Sequence, residues 1–174
     1  MYLVLDCETN GLPRNRNARL DSVDSWPRAV QVAWGLYDRK HRNISMESYI
    51  VRPEGFAIPR DSERVHGIST ERALAEGVPI GDVLARLSAS IDKADLAIAH
   101  NVRFDGSVIA AEYYRLGLSP PITPGNMVCT MEAGTDYCCI PGPYGNKWPT
   151  LDELYRFLFN KSFTGAHDAS IDVA

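Results

Sequence analysis

The sequence is poor in the features that would assign it to several common classes. Its four cysteines, Cys7, Cys129, Cys138 and Cys139, include no pair with the two-residue gap of a zinc knuckle. Cys138 and Cys139 are neighbours, a poor spacing for a structural staple, and no signal peptide is recognisable ahead of them. All four therefore read as reduced thiols of a cytoplasmic protein. No apolar run approaches the length that spans a bilayer, so no membrane association is expected. Internal repeats and low-complexity segments are missing. Positive charge is also scarce: the net charge is -4, so no global basic field advertises a nucleic-acid partner. That counts only mildly against such a partner, because a bound metal adds positive charge that residue counting misses. What remains is 174 residues of ordinary globular composition, enough for one domain with a sizeable core.

The most informative stretch is the first, Leu3-Val4-Leu5-Asp6-Cys7-Glu8-Thr9-Asn10-Gly11-Leu12. A short apolar run closed by Asn10-Gly11 predicts a buried strand. Strand side chains alternate, so Asp6 and Glu8 share one face and Cys7 points to the other. Two carboxylates at the end of a buried strand repel each other and lose hydration. A divalent cation is the usual offset, and the alternative is a pair of acids that merely opens a turn.

The polar, Arg-rich stretch Pro13 to Asp24 reads as a loop beside these acids. Ala29 to Tyr37 and Ile44 to Val51 read as two more strands joined by a charged turn, which predicts an antiparallel meander with the first. Ser62 to Gly67 reads as a short helical turn. A second opens at Ser69 as cap, and Pro79 opens a longer helix with apolar Ile80, Val83, Leu84, Leu87 and Ile91 at helical spacing. Leu96 to Ala99 is apolar on both faces, as in a central parallel strand. It runs into His100-Asn101-Val102-Arg103-Phe104-Asp105, with Asn101 as candidate cap of a helix reaching about Leu116. Asp105 falls on the side of Val108 and Ile109, and an acid on a buried face is informative. Met127 to Met131 reads as a fifth strand and Pro141 to Pro149 as a loop. Thr150 and Glu153 form a capping box for a helix over Leu151 to Leu158. The last segment carries His167 and Asp172, separated by roughly 7.5 Å of rise if helical.

Taken together, the first segment with Asp6 and Glu8, the His100–Asp105 segment and the His167–Asp172 segment resemble the three sequence motifs of the DnaQ-like 3′–5′ exonucleases, the DEDD nucleases of the His subtype. The motifs occur in the family's order from end to end of the chain, and Val65-His66-Gly67-Ile68 resembles an intermediate family segment. The Tyr subtype has a Tyr four residues before its last Asp. Here that position is Asp168, and the histidine lies one residue earlier, which favours the His subtype.

The resemblance implies a ribonuclease H-like α/β fold, a five-stranded mixed sheet flanked by helices, in a single exonuclease domain over 1–174 whose C-terminal helix is cut short relative to the family. It implies that Asp6, Glu8, Asp105 and Asp172 hold two Mg²⁺ or Mn²⁺ ions and that His167 deprotonates the attacking water. Thr9 would contact the terminal nucleotide, Leu12 would wedge near the last bases, Asn101 and Phe104 would shape the pocket, and His66 would face the substrate. Hard carboxylate oxygens suit these ions better than zinc. Two metals about 3.5–4 Å apart can stabilise both the attacking and leaving oxygens at phosphorus. An imidazole, with an ordinary pKa near ~6.5, accepts a proton at neutral pH.

The expected function is thus removal of nucleoside 5′-monophosphates from 3′ ends of single-stranded DNA, alone or docked on a DNA polymerase. Two alternatives stay open: an exoribonuclease on short RNA or tRNA ends, and a non-catalytic nucleic-acid or protein-binding module on the same fold. The presence of all four acids and the histidine speaks against the module. His66 reads equally as a structural histidine, and His41 and His100 as surface or packing residues. Asp168 reads as cap of the last helix. Arg14, Arg16 and Arg19 form either a solvated loop or a phosphate-contacting rim.

Overall fold

In a computed structural model, residues 1–161 and 167–174 are described. Five strands, β1 (Tyr2–Thr9), β2 (Ala29–Tyr37), β3 (Asn43–Ile50), β4 (Leu96–Ala99) and β5 (Met127–Cys129), form one sheet in the order β3-β2-β1-β4-β5. The first three pair antiparallel, β2 and β3 through a short turn and β1 and β2 through the long 10–28 loop, while β4 joins β1 and β5 joins β4 in parallel. The parallel connections are long enough to hold helices. The helices are α1 (Arg60–His66), α2 (Thr70–Glu76), α3 (Ile80–Ile91), α4 (Val102–Arg115), α5 (Thr130–Cys138), α6 (Leu151–Phe159) and α7 (Ala169–Asp172).

The two faces of β1 meet different partners because its side chains alternate. Leu3, Leu5 and Cys7 enter the main core with Val83, Leu84 and Leu87 of α3 and Val108 and Ile109 of α4. On the opposite face Val4 packs with Ala33 of β2 and with Ala169 and Val173 from the C-terminal segment. Asp6 and Glu8 share that second face, opposite Ala33 and Gln31 of β2. The sequence pattern therefore sends the acids toward α7 and the apolar residues toward α3 and α4.

Several local expectations change. The fifth strand stops at Cys129, and Thr130 begins α5 with no linker. The Pro141–Pro149 stretch holds a small hairpin, β6 (Pro141–Gly142) with β7 (Gly145–Asn146). Asn101 precedes α4 but makes no side-chain cap. It takes the left-handed conformation, φ 67° and ψ 54°, which asparagine tolerates better than most residues. Ser69 and the Thr150–Glu153 box cap their helices as expected. Among the described residues no helix is long and apolar enough to cross a membrane.

Candidate active site

The site lies where β1 and β4 part. Their pairing ends at Val4–Ile98, so the C-terminal half of β1 has no parallel neighbour on that side. Strand order reverses between these two strands, and in open α/β sheets the crevice beyond the carboxyl ends at such a point is where ligands bind. Past the divergence, the Cys7 backbone N–H donates to Asp105 Oδ1 at 3.2 Å, and the Cys7 thiol donates to the same oxygen at 3.2 Å. Asp105 thus reaches the site from α4, buried at 3 % exposure.

On the other face, Asp6, Glu8 and Asp172 each bring a carboxylate oxygen within 4.8 Å of one another. Asp105 is not one of this trio, but its charge acts on Asp6. Burial and the charges of Asp105, Asp172 and Glu8 push Asp6 well above the usual carboxylate range. Burial likewise drives Asp105 up to about 7, against the hydrogen bonds from Cys7, with the Glu8 charge adding to the rise. Glu8 is raised by burial and by Asp172 and Asp168, against the pull of His167. Asp172 is raised chiefly by burial, against the His167 backbone and charge. All four acids are shifted toward the protonated form, so the cluster is short of positive charge.

The donor set fits a hard divalent cation. All the converging atoms are carboxylate oxygens, and Asp172 Oδ1 is buried with no hydrogen-bond partner among the described residues. An orphaned anionic oxygen aimed into an acidic cluster has lost hydration with no return unless a cation meets it.

Asp172 is carried by a helix of a single turn. Ile171 is 39 % exposed, so it does not hold the segment; Ala169 and Val173 are buried instead. Gln31 adds a fork from β2: its Nε2 donates to Asp168 Oδ1 at 3.0 Å, and its Oε1 accepts from Ala169 N at 3.2 Å. Tyr37 Oη donates to the Val173 carbonyl at 2.8 Å. Asp168 caps α7 as expected, accepting from Ser170 N. Burial works against its ionisation, but hydrogen bonds from Ser170 and Gln31 outweigh that and hold its pKa down.

The remaining candidates surround this centre. His167 is exposed, at φ 69°, and its backbone N–H donates to Asp172 Oδ2 at 3.3 Å. Its charge is felt at Glu8, Asp172 and His66. His66 Nδ1 accepts from Ile68 N, while buried Nε2 makes no hydrogen bond of good geometry among the described residues, and burial lowers its pKa although the Thr9 backbone opposes this. Thr9 Oγ1 donates to the Gly11 carbonyl at 2.7 Å, Leu12 is exposed, and Phe104 packs against the main core. His100 is a packing residue, bonded to Thr130 Oγ1 and the Pro149 carbonyl. All four cysteines are free thiols.

Two residues of the site were missed from sequence. Cys7 orients Asp105, and Gln31 positions α7. The signal for Gln31 was present: it is a lone polar residue inside the apolar run of β2, buried at 7 % exposure.

Comparison with solved structures places the sheet and helices in the ribonuclease H-like fold. Escherichia coli exonuclease I in complex with a dT13 oligonucleotide superposes with a TM-score of 0.75 at 22 % identity, covering 99 % of this chain and 38 % of that one. The zinc-bound exonuclease I–ssDNA complex gives 0.76 at 21 % identity, with coverage of 99 % and 38 %. Exonuclease X in complex with 5′-overhanging duplex DNA gives 0.66 at 22 % identity, covering 99 % of this chain and 84 % of that one. This chain therefore spans well under half the length of exonuclease I. No curated protein matches the sequence. The exonuclease family model RNase_T matches residues 3–174, and the chain belongs to that family.

Proposed function

We propose that the chain is a metal-dependent 3′–5′ exonuclease that acts on single-stranded DNA ends and releases nucleoside 5′-monophosphates. The observation that carries this reading is the convergence of Asp6, Glu8 and Asp172 within 4.8 Å, with buried Asp105 coupled to Asp6 and Glu8 by charge. Membership of an exonuclease family supports the reaction class. Structural relatives bound to DNA oligonucleotides and duplex DNA favour DNA over RNA.

Asp6, Glu8, Asp105 and Asp172 would hold two Mg²⁺ or Mn²⁺ ions. These would supply positive charge to the attacking and leaving oxygens of the phosphodiester. His167 takes the proton of the attacking water. Cys7 keeps Asp105 turned toward the site by its two hydrogen bonds. Thr9 and His66 border the place of the terminal nucleotide, and Leu12 offers an exposed apolar side chain against its neighbours.

The test uses 5′-labelled linear DNA, RNA of the same sequence, and closed circular single-stranded DNA, each with Mn²⁺. Linear DNA should shorten stepwise from its 3′ end, faster than RNA, and circles should persist. Cleaved circles would show an endonuclease. His167→Ala should lower the rate by roughly 10²–10⁴ with Mn²⁺ affinity retained; near wild-type turnover would move the base elsewhere.

A further inference from the structure

A second cleft opens just beyond the carboxylates. Residues 10–28 form a closed loop: Asn10 N donates to the Arg28 carbonyl at 3.0 Å, Arg28 N donates back to Asn10 Oδ1 at 2.8 Å, and Arg14 N reaches the Ser25 carbonyl at 2.9 Å. Against this loop lies a cleft of about 580 Å³ whose wall includes Leu12, Arg14, Trp26, Arg28, Phe56 and Arg115. That volume is in the range of a ligand site.

The cleft is rigidly built. Glu112 of α4, at 1 % exposure, accepts from Arg28 Nε at 2.9 Å and from Ala29 N at 2.9 Å, and pairs with Arg115 Nη1 at 3.0 Å. Arg115 Nη2 donates to the carbonyls of Val23 and Trp26 at 2.6 and 2.7 Å. The Arg28 guanidinium stacks on Phe56, 4.5 Å from the ring centroid. A buried carboxylate that fixes two arginines would suffice to staple the loop to α4. Stapling does not account for the rest. Arg14 is exposed and carries no ion pair among the described residues, and Arg28 Nη2 makes no hydrogen bond there. One acid, Asp24, faces the same space. Guanidinium groups left with free donors, on a chain of net charge -4, mark a local preference for an anion.

The position identifies the anion. Asn10, Gly11 and Leu12 line the cleft and follow Glu8 and Thr9 directly in the chain. A strand whose 3′ end sat at the carboxylates and whose next bases met Leu12 would meet this cleft at Leu12, which lines it. Resting on the exonuclease reading, we propose that the cleft is a second nucleic-acid subsite. It takes the phosphodiester backbone of the substrate strand beyond the terminal nucleotide, with Arg14 as its free cation and the Arg28–Phe56 stack as its wall.

The test compares kcat/KM, in Mn²⁺, for dT12 and for the p-nitrophenyl ester of thymidine 5′-monophosphate, which has no strand to occupy the cleft. Arg14→Ala should lower the dT12-to-ester ratio about 5-fold. The slope of log KM for dT12 against log salt should fall by about 0.7, the loss of one phosphate contact on a single strand. Asp24→Asn should raise the ratio about 2-fold, an effect of sign opposite to a loosened loop. Arg42→Ala, a remote arginine paired with Asp38, should leave it unchanged. Wild-type ratio and salt slope in both Arg14→Ala and Asp24→Asn would overturn the subsite while leaving the exonuclease reading intact. Failure of the wild-type chain to hydrolyse either substrate is a separate result, and it removes both.

Discussion

At the scale of single residues, the site is an accumulation of carboxylates that the chain alone does not neutralise. Asp105, driven up to about 7 by burial, binds a proton in the folded state at pH values where an unfolded aspartate, near ~3.9, does not. A pKa raised by folding gives stability that is present at low pH and is lost as pH rises through the folded value. In EDTA the melting temperature should therefore fall between about pH 4 and pH 7 from this residue, with Asp6 adding in the same direction. A cation displaces those protons, so Mn²⁺ should raise Tm more at pH 8 than at pH 5. Equal Mn²⁺ effects at both values would mean the acids are not its ligands. Asp6→Asn removes one of the repelling charges and should raise Tm in EDTA by a few degrees, ~1 kcal/mol being about 2–4 °C at this size. The same change should abolish the Mn²⁺ response, and a lower Tm in EDTA would contradict the repulsion. The acids themselves were legible in the sequence, because strand alternation and helix spacing place Asp6, Glu8 and Asp105 in special positions. What Asp105 bonds to was not, since Cys7 lies 98 residues away along the chain. The pairing of Arg28 with Glu112, 84 residues apart, was hidden for the same reason.

Among the elements, α7 is the one on which the site most depends. One helical turn is far below the length that is stable alone, so its position comes from contacts with β2. Gln31 supplies two of them, to Asp168 and Ala169. Gln31→Leu should speed amide exchange over residues 169–174 and weaken Mn²⁺ binding by about 10–100-fold, as loss of a group that orients a ligand does elsewhere. Unchanged exchange and affinity would assign the anchoring to Ala169, Val173 and Tyr37 alone. Elements with a strong pattern were readable: β2 and β4 match their apolar runs residue for residue. The helix α5 was not. It starts immediately after β5, without a turn residue between them, and Thr130-Met131-Glu132-Ala133-Gly134 carries little apolar periodicity. At Asn101 the usual capping logic failed because the backbone turns left-handed there.

On the scale of the whole molecule, the antiparallel β2–β3 pair followed from the short turn between them, and the parallel β4 from its apolar residues on both faces. Together they bring acids from β1, α4 and the C-terminal segment to one end of the sheet. The substrate was less legible, because the cleft beside Leu12 is assembled from a loop, α4 and Phe56 rather than from one motif. In the proposed function these acids hold the cations that drive hydrolysis from a 3′ end. The most direct measurement follows 5′-labelled linear single-stranded DNA with Mn²⁺, with Mn²⁺ plus excess EDTA, and with the Asp6→Asn chain in Mn²⁺. A ladder shortening from the 3′ end in the first reaction and intact DNA in the other two is the predicted result. Hydrolysis that survives EDTA or the Asp6→Asn change would contradict it.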